Sequence, residues 1–482
     1  MDGESRTVIN SQNADTTKIV GACAEACGVA YKIVEKICPA SPEQAHRMNH
    51  HIETGSSYMM QTVLHYEGDL NESFLLRVLS AIRSKNHVLR TRLVKYEGQV
   101  YQVVLRDSIV FQSGAANLHG YLAQNSQTRM DYGTPLSRYA FIREPRGEAF
   151  FVWTAHCSAF DAWTLRLIFD DLQSACSDLG AYAKLPPRPP YGRYARWLDS
   201  SVDEAGFSFW LTRHTSFDNL VHKFPVLGPV CIPSTSTMKT KKLLHLPKIK
   251  DTEFNLPIMG HTAWALTIAK CLIQECPPLT SEDISFISIS SVRKSNVPGI
   301  RHMMGPISAR VPLRVRVFPN LSIENLMRDI ETQFSSMIGF EHCAMRALSK
   351  ECGFKNMLKQ AVFNWNPPDS DLSCKRIVCY DKEVVPAILA YREDLSVPFA
   401  HDFGLMYEVY EHGEHITIYA TWDQYLVSPD LISRLSEDFE SFLTSIIKTR
   451  GATVLDLLSK NRMCQSEKVL SFRPQRAELP PE

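Results

Sequence analysis

Phe150-Phe151-Val152-Trp153-Thr154-Ala155-His156-Cys157-Ser158-Ala159-Phe160-Asp161 is the stretch on which the reading of this chain turns. Its first half is a short run of aromatic, β-branched and small residues, the pattern of a strand buried on both faces. The run stops at His156, and from Trp163 to Leu172 apolar residues recur at helical spacing. Strand, tight loop and helix together predict an α/β unit, whose loop is held at both ends by rigid elements and so is a place to expose reactive side chains.

Working outward, the same alternation continues. Ala22 to Lys36 has helical spacing, and Ser41 can cap a second helix carrying Glu43 to His51, with Pro42 in its first turn. Tyr58 to Tyr66 and Val100 to Leu105 alternate as strands do, and Phe74 to Ile82 repeats as an amphipathic helix. Downstream, Leu185-Pro186-Pro187-Arg188-Pro189-Pro190-Tyr191 is a stiff connector, because proline fixes φ and withholds a backbone donor. A second α/β series follows, with helices at Gly260 to Ile273 and Ile323 to Gly339 and strands at Ile284 to Ser290 and Val311 to Val317.

A chain of 482 residues exceeds one hydrophobic core, since cores stop growing near about 250 to 300 residues. The expected division is a disordered start over 1–20, a first lobe over 21–205, a second over 206–465 and a disordered tail over 466–482. With 44% hydrophobic and 22% charged residues the composition is that of a globular protein. Lys plus Arg and Asp plus Glu are 52 each, so no net field draws the chain to nucleic acid or an anionic membrane. No apolar run of about 18 residues and no secretion-signal pattern occurs, which makes the expected compartment cytoplasmic. The 13 cysteines are scattered, which argues for reduced thiols. The nearest metal-like spacings, Cys23 with Cys27 and Cys374 with Cys379, lack a second pair or a zinc-spaced histidine, and no metal is expected.

Two readings of the central loop stand side by side. His156, Cys157 and Asp161 are residue types for acid, base or nucleophile work, since imidazole titrates near neutrality and thiolate is a strong nucleophile. They are equally the residues of a hydrogen-bonded core histidine, a small buried thiol and a helix N-cap.

The wider sequence resembles the condensation domains of nonribosomal peptide synthetases, in particular the terminal type of fungal assembly lines, over roughly residues 20 to 460. The resemblance is carried by Cys27-Gly28-Val29 through Ile37-Cys38-Pro39-Ala40-Ser41-Pro42-Glu43-Gln44, by His87-Val88-Leu89-Arg90-Thr91-Arg92, and by Gly133-Thr134-Pro135-Leu136-Ser137-Arg138. It continues in Tyr194-Ala195-Arg196-Trp197 with Phe209-Trp210, in Gly305-Pro306 through Val311-Pro312-Leu313-Arg314-Val315, in Phe340-Glu341-His342 and in Phe363-Asn364-Trp365-Asn366, all in the family's order. The family's central loop reads His-His-x-x-x-Asp-Gly; here it reads His156-Cys157-Ser158-Ala159-Phe160-Asp161-Ala162. The first His and the Asp are kept. The second His, which the family uses to handle the proton of the attacking amine, is Cys157, and the Gly is Ala162.

The resemblance implies an α/β fold of two chloramphenicol-acetyltransferase-like lobes in a V-shaped pseudodimer. It implies a centre at His156, Cys157 and Asp161, a salt bridge from Asp161 to Arg293, and a substrate tunnel with Ala162, Trp163, Gly305, Ala309 and Asn364 on its wall. The implied activity is formation of an amide or ester bond from an acyl donor, in secondary-metabolite biosynthesis. The departure at Cys157 leaves open a repurposed tunnel for cyclisation or pericyclic closure, and an inactive binding scaffold, because an ordinary thiol near pKa about 8.5 is a poor base at neutral pH. His401-Asp402-Phe403-Gly404 is similar to the Asp-Phe-Gly-Trp-Gly motif of plant-type coenzyme A acyltransferases, which share the fold. No resident cofactor is implied: a phosphopantetheine or coenzyme A thioester would enter as part of a small-molecule substrate. No carrier or adenylating segment is recognisable, so the chain is expected to stand alone as a monomer and to meet any carrier protein in trans.

Overall fold

The computed structural model describes residues 14–460, apart from 56–57, 69–70, 113–116, 201–203, 214–236, 250–251, 276–281, 349–360, 367–374, 381–386, 393–394, 396–402 and 450. In the first half the helices are α1 (Ala14–Ala26), α2 (Pro42–Thr54), α3 (Glu72–Lys85), α4 (Leu118–Gln127), α5 (Ala162–Ser177), α6 (Leu179–Lys184), α7 (Gly192–Ser200) and α8 (Glu204–Arg213). Its strands are β1 (Val34–Pro39), β2 (Met59–Glu67), β3 (Thr91–Tyr96), β4 (Gln99–Leu105), β5 (Phe111–Gln112), β6 (Ser137–Arg143) and β7 (Ala149–His156).

The second half holds β8 (Thr237–His245), α9 (Leu256–Glu275), β9 (Glu282–Ser291), β10 (Ser308–Val317), α10 (Ile323–Ser336), α11 (Ala344–Leu348), β11 (Ala361–Asn366), β12 (Arg376–Cys379), β13 (Ala387–Tyr391), β14 (Leu405–His412), β15 (His415–Asp423), α12 (Pro429–Lys448) and α13 (Val454–Lys460).

β7 sits inside a six-stranded sheet of order β12-β13-β2-β7-β6-β5 and is buried at every position. Its odd and even residues serve different cores: Phe151, Trp153 and Ala155 join the large cluster under α3 and α5, while Phe150 and Val152 join a smaller one with Leu118 and Tyr121 of α4. This explains why the run is apolar throughout instead of alternating. The second half has its own sheet, β10-β9-β11-β14-β15-β8, whose helix-side face packs Phe286, Phe363 and Tyr407 against Trp264 of α9 and Phe439 of α12.

Two findings differ from the expected division. The helix expected over Ala22 to Lys36 lies earlier: α1 begins at Ala14, inside the stretch expected to be disordered, and residues 34–39 form β1 on β4. Gly28, at φ +64°, ends the helix, where Val29 N–H reaches back to the Ala24 carbonyl in a left-handed cap. Cys23 of α1 and Cys27 just after it pack with Val94, Val103 and Leu105, so the helix is held by burial that its polar start does not announce. The expected disordered tail lies outside the described residues.

The change of core comes upstream of residue 205. Tyr191, Tyr194, Ala195 and Leu198 already belong to the second core. Residues 376–391, far along the chain, return to the first half, where β13 pairs antiparallel with β2 and Ile377, Cys379, Ala387 and Leu389 enter its core. Each half thus lends structure to the other.

Candidate functional site

The site is assembled from the end of β7, the start of α5 and the exposed face of α2. Ser41 caps α2 in a reciprocal box with Gln44, at 3.2 and 3.0 Å. Gln44 faces inward: its amide donates to the Ser158 carbonyl at 3.0 Å, and Ser158 Oγ donates to the Gln44 carbonyl at 3.2 Å. The 156–161 loop is therefore strapped to α2 by residues that carry no reaction chemistry.

The structure corrects the expectation that the loop exposes its reactive groups. His156 is 0% and Cys157 3% exposed. His156 Nδ1 accepts from Ser158 N–H at 3.1 Å, which puts the ring proton on Nε2, an atom with no partner among the described residues. Burial, then the neighbouring His51 ring and the Arg47 charge, push the His156 pKa well below the ordinary value of 6.5. The rings of His51 and His156 meet edge to face with centroids 4.8 Å apart. His156 is thus a neutral core imidazole with its accepting nitrogen in use.

Cys157 is equally inert as a base. Its N–H donates to the Tyr58 carbonyl at 2.8 Å, and burial, only partly opposed by Arg47, pushes its thiol up to about 12. Tyr58 itself sits at φ 65°, an uncommon conformation for a bulky residue, at the point where β2 meets the loop.

Asp161 does two structural jobs at once. It caps α5, accepting from Thr164 N–H and Thr164 Oγ1 at 2.8 Å each. Across the halves it takes a forked pair from Arg293, at 2.6 and 3.1 Å, and a third bond from Ile307 N–H at 3.0 Å. Burial alone would raise this carboxyl; Arg293 and Thr164 outweigh it and hold the pKa below the ordinary value of 3.8. Arg293 also reaches the carbonyls of Met303, Gly305 and Ile307. Thr164 Oγ1 completes the clasp by accepting from Gly305 N–H at 2.9 Å.

Of the five residues expected on a tunnel wall, Ala162 and Trp163 are partly exposed, and Trp163 Nε1 donates to the Arg301 carbonyl at 2.9 Å. Gly305, Ala309 and Asn364 are buried. Gly305 has a packing reason: at φ +140°, a Cβ would fall 2.0 Å from the Tyr191 ring. Asn364 lies on the second sheet and donates to Asn366 and Glu408, at 3.1 and 3.3 Å. Of the coenzyme A-type motif, His401 and Asp402 lie outside the described residues; Phe403 is buried, with the Arg310 guanidinium 5.4 Å from its ring centre.

Sequence reasoning missed the charged face of α2. Arg47 donates to Glu43 at 2.8 Å, to the Cys157 carbonyl at 2.7 Å and to the Phe160 carbonyl at 3.4 Å, and lies over the Tyr58 ring at 5.9 Å. Arg310 of β10 meets the same Glu43 oxygen at 3.2 Å. The i,i+4 spacing of Glu43 and Arg47 was a legible sign. Nothing in the sequence joins either to Arg310.

Comparisons with known proteins agree with this arrangement. Residues 34–227 match the sequence model of the condensation domain. The chain is 25% identical over 432 residues to the nonribosomal peptide synthetase gloA of Glarea lozoyensis, and 27% identical over 419 residues to the nonribosomal peptide synthetase ecdA of Aspergillus rugulosus. These alignments cover 88% and 86% of this chain but only 6% of each relative's length. Among solved structures, holo T3CT superposes with TM-score 0.71 at 16% identity, covering 94% of this chain and 100% of that one. The starter condensation domain of the rhizomide synthetase RzmA superposes with TM-score 0.67 at 14% identity, covering 87% and 98%. No described helix is long and apolar enough to cross a membrane. Residues 34–227 thus resemble the condensation-domain family, and nearly all of the chain shares the two-lobed fold of the solved starter condensation domain.

Proposed function

We propose that the chain joins an acyl group to an amine or alcohol between its two lobes, in secondary-metabolite biosynthesis, by holding the partners together instead of by base catalysis at the central loop. The observation that carries this reading is the intact Asp161–Arg293–Thr164–Gly305 clasp beside a loop whose two expected proton-handling groups, His156 and Cys157, are both uncharged and occupied or protonated. An amine that arrives neutral attacks the acyl carbonyl through its own lone pair, the acyl–sulfur or acyl–oxygen bond breaks, and the nitrogen proton leaves to solvent or to the departing group. Orientation alone supplies large effective concentrations, and the missing base costs about 10² to 10⁴ in rate. His156, Cys157 and Asp161 then shape the loop, and the acyl donor is a free thioester or one presented by a carrier protein.

A second reading is favoured by the same uncharged loop: a tunnel with no base at its centre suits a cyclisation, in which shape and a few hydrogen bonds suffice. Metabolites of a producing cell with and without the chain, followed by incubation of the purified protein with the compound that accumulates, separate the two. A product heavier by an acyl or aminoacyl unit establishes transfer. Equal mass, or loss of water only, establishes cyclisation, and no change at all leaves a binding scaffold.

A further inference from the structure

The second sheet carries a carboxyl, on the face turned to the first half, that the proposed reaction does not use. Phe363 of β11 and Tyr407 of β14 pack on Trp264 of α9 and Phe439 of α12. Side chains alternate along a strand, so Asn364, Asn366, Glu408 and Tyr410 turn the opposite way. Phe363 and Val311 both stand beside Ser288, whose hydroxyl meets His261 of α9 at 2.9 Å. Arg310, next to Val311, therefore shares the face of Asn364 and Glu408, and it reaches across to Glu43 of α2.

The two faces differ in chemistry. The helix-covered one is aromatic and aliphatic, whereas the other holds Asn364, Asn366, Thr417 and Thr421 buried and Glu408 only partly exposed. A polar sheet face closed off from bulk solvent suits an internal binding space better than a packed core. Glu408 sits in its middle, with Asn364 beside it on β11 and Tyr419 beside it on β15. Its Oε1 accepts from Asn364 Nδ2 at 3.3 Å and from the Tyr410 hydroxyl at 3.4 Å. Both donors are neutral. Among the described residues Glu408 forms no ion pair; Lys239 of β8 favours its charged form only from a distance. Burial outweighs these neighbours and pushes the carboxyl above its ordinary value of 4.5. A desolvated carboxylate that solvent still reaches, and that no cation matches, is costly until a ligand brings the missing charge.

We infer that Glu408, held by Asn364 and Tyr410, is the recognition site for an ammonium group of the small-molecule substrate. This rests on the reading that substrate occupies the space between the lobes, and it deepens that reading by assigning one substrate group. The ammonium would donate to the Glu408 carboxylate and supply its counter-charge, while an uncharged hydroxyl would leave that carboxylate unmatched. It is a different group from the attacking amine, which arrives neutral. Glu408 is on this view a binding residue whose partner does not react.

Binding tests this without turnover. Hexylamine, a cation at neutral pH, and its uncharged counterpart hexanol are titrated into the full chain and followed calorimetrically. Hexylamine is expected to bind at least about tenfold more tightly, the usual margin for one charge-assisted contact. Glu408→Gln should abolish the preference, Glu408→Asp should keep part of it, and Glu253→Gln, at an exposed carboxylate paired with Arg328 elsewhere, should leave it unchanged. Thermal melts check that each variant folds; if Glu408→Gln does not, Glu408→Met takes its place. Equal affinities for amine and alcohol, no binding of either, or a preference that survives the loss of Glu408 overturns the inference. Because this readout contains no acyl transfer, a preference for hexylamine without any heavier metabolite would sink the proposed reaction and leave the ammonium site standing. An acylated product formed by a chain that shows no such preference would do the reverse.

Discussion

Cys157 stands where the family places a proton-handling histidine, and its surroundings make it a spectator. A thiol held protonated up to about 12 resists alkylation. Treatment of the native protein with iodoacetamide near pH 8, read by peptide mass, should leave Cys157 unmodified and label the part-exposed Cys271. Cys157→Ala should keep most activity, and an acyl adduct on Cys157 would refute the assignment. Glu43 gives a prediction in pH. Its carboxyl is held at about 2 in the folded chain against an ordinary 4.5, so the unfolded chain binds the proton more readily. The stabilisation is full above about 4.5 and is lost as pH falls toward 2, with a total on the order of 3 kcal/mol. Denaturation curves at pH 6 and pH 3 should differ less in Glu43→Gln than in the parent.

At the scale of elements, the start of α5 is the joint between the halves. Asp161→Ala removes the cap, costing about 1 kcal/mol, and strands the buried Arg293, costing about 3 to 5 kcal/mol. A double-mutant cycle with Arg293→Leu should recover much of the second cost, and additive losses would show that the two act independently. Gly305→Ala should destabilise by a similar mechanism at short range, since its Cβ would meet the Tyr191 ring, whose hydroxyl donates to Ser41 Oγ at 2.9 Å and so supports the cap of α2. A melting temperature unchanged in Gly305→Ala would mean that the connector yields.

Across the whole molecule, the return of β12 and β13 to the first sheet makes the halves one cooperative body. Four residue pairs, Ile388 to Tyr391 against Leu64 to Glu67, join sequence positions more than 300 apart. Leu389→Pro places a ring and a missing donor in the middle of that pairing, at a fully buried position. Calorimetry should show one transition in the parent and two in the variant; a single transition in both would mean that the α5 clasp alone couples the halves.

Period and chemistry within the sequence determined β7, α2, α3, α5, α9, β9 and β10, because each buries one continuous stripe or run that local spacing records. The motif order likewise announced the Asp161–Arg293 pair. α1 was misplaced because its start is polar and its end is set by one left-handed glycine, Gly28. What only the tertiary structure decided is the state of the central loop and the company it keeps. His156 and Cys157 are uncharged because burial excludes water from both, and at His156 the His51 ring and the Arg47 charge of α2 add to the effect. Glu43 meets a second guanidinium because β10 brings Arg310 to a carboxylate 267 residues away in sequence. Local spacing encodes which face of an element is buried; which charges meet across two lobes is set by long-range pairing, and no periodicity in the chain carries it.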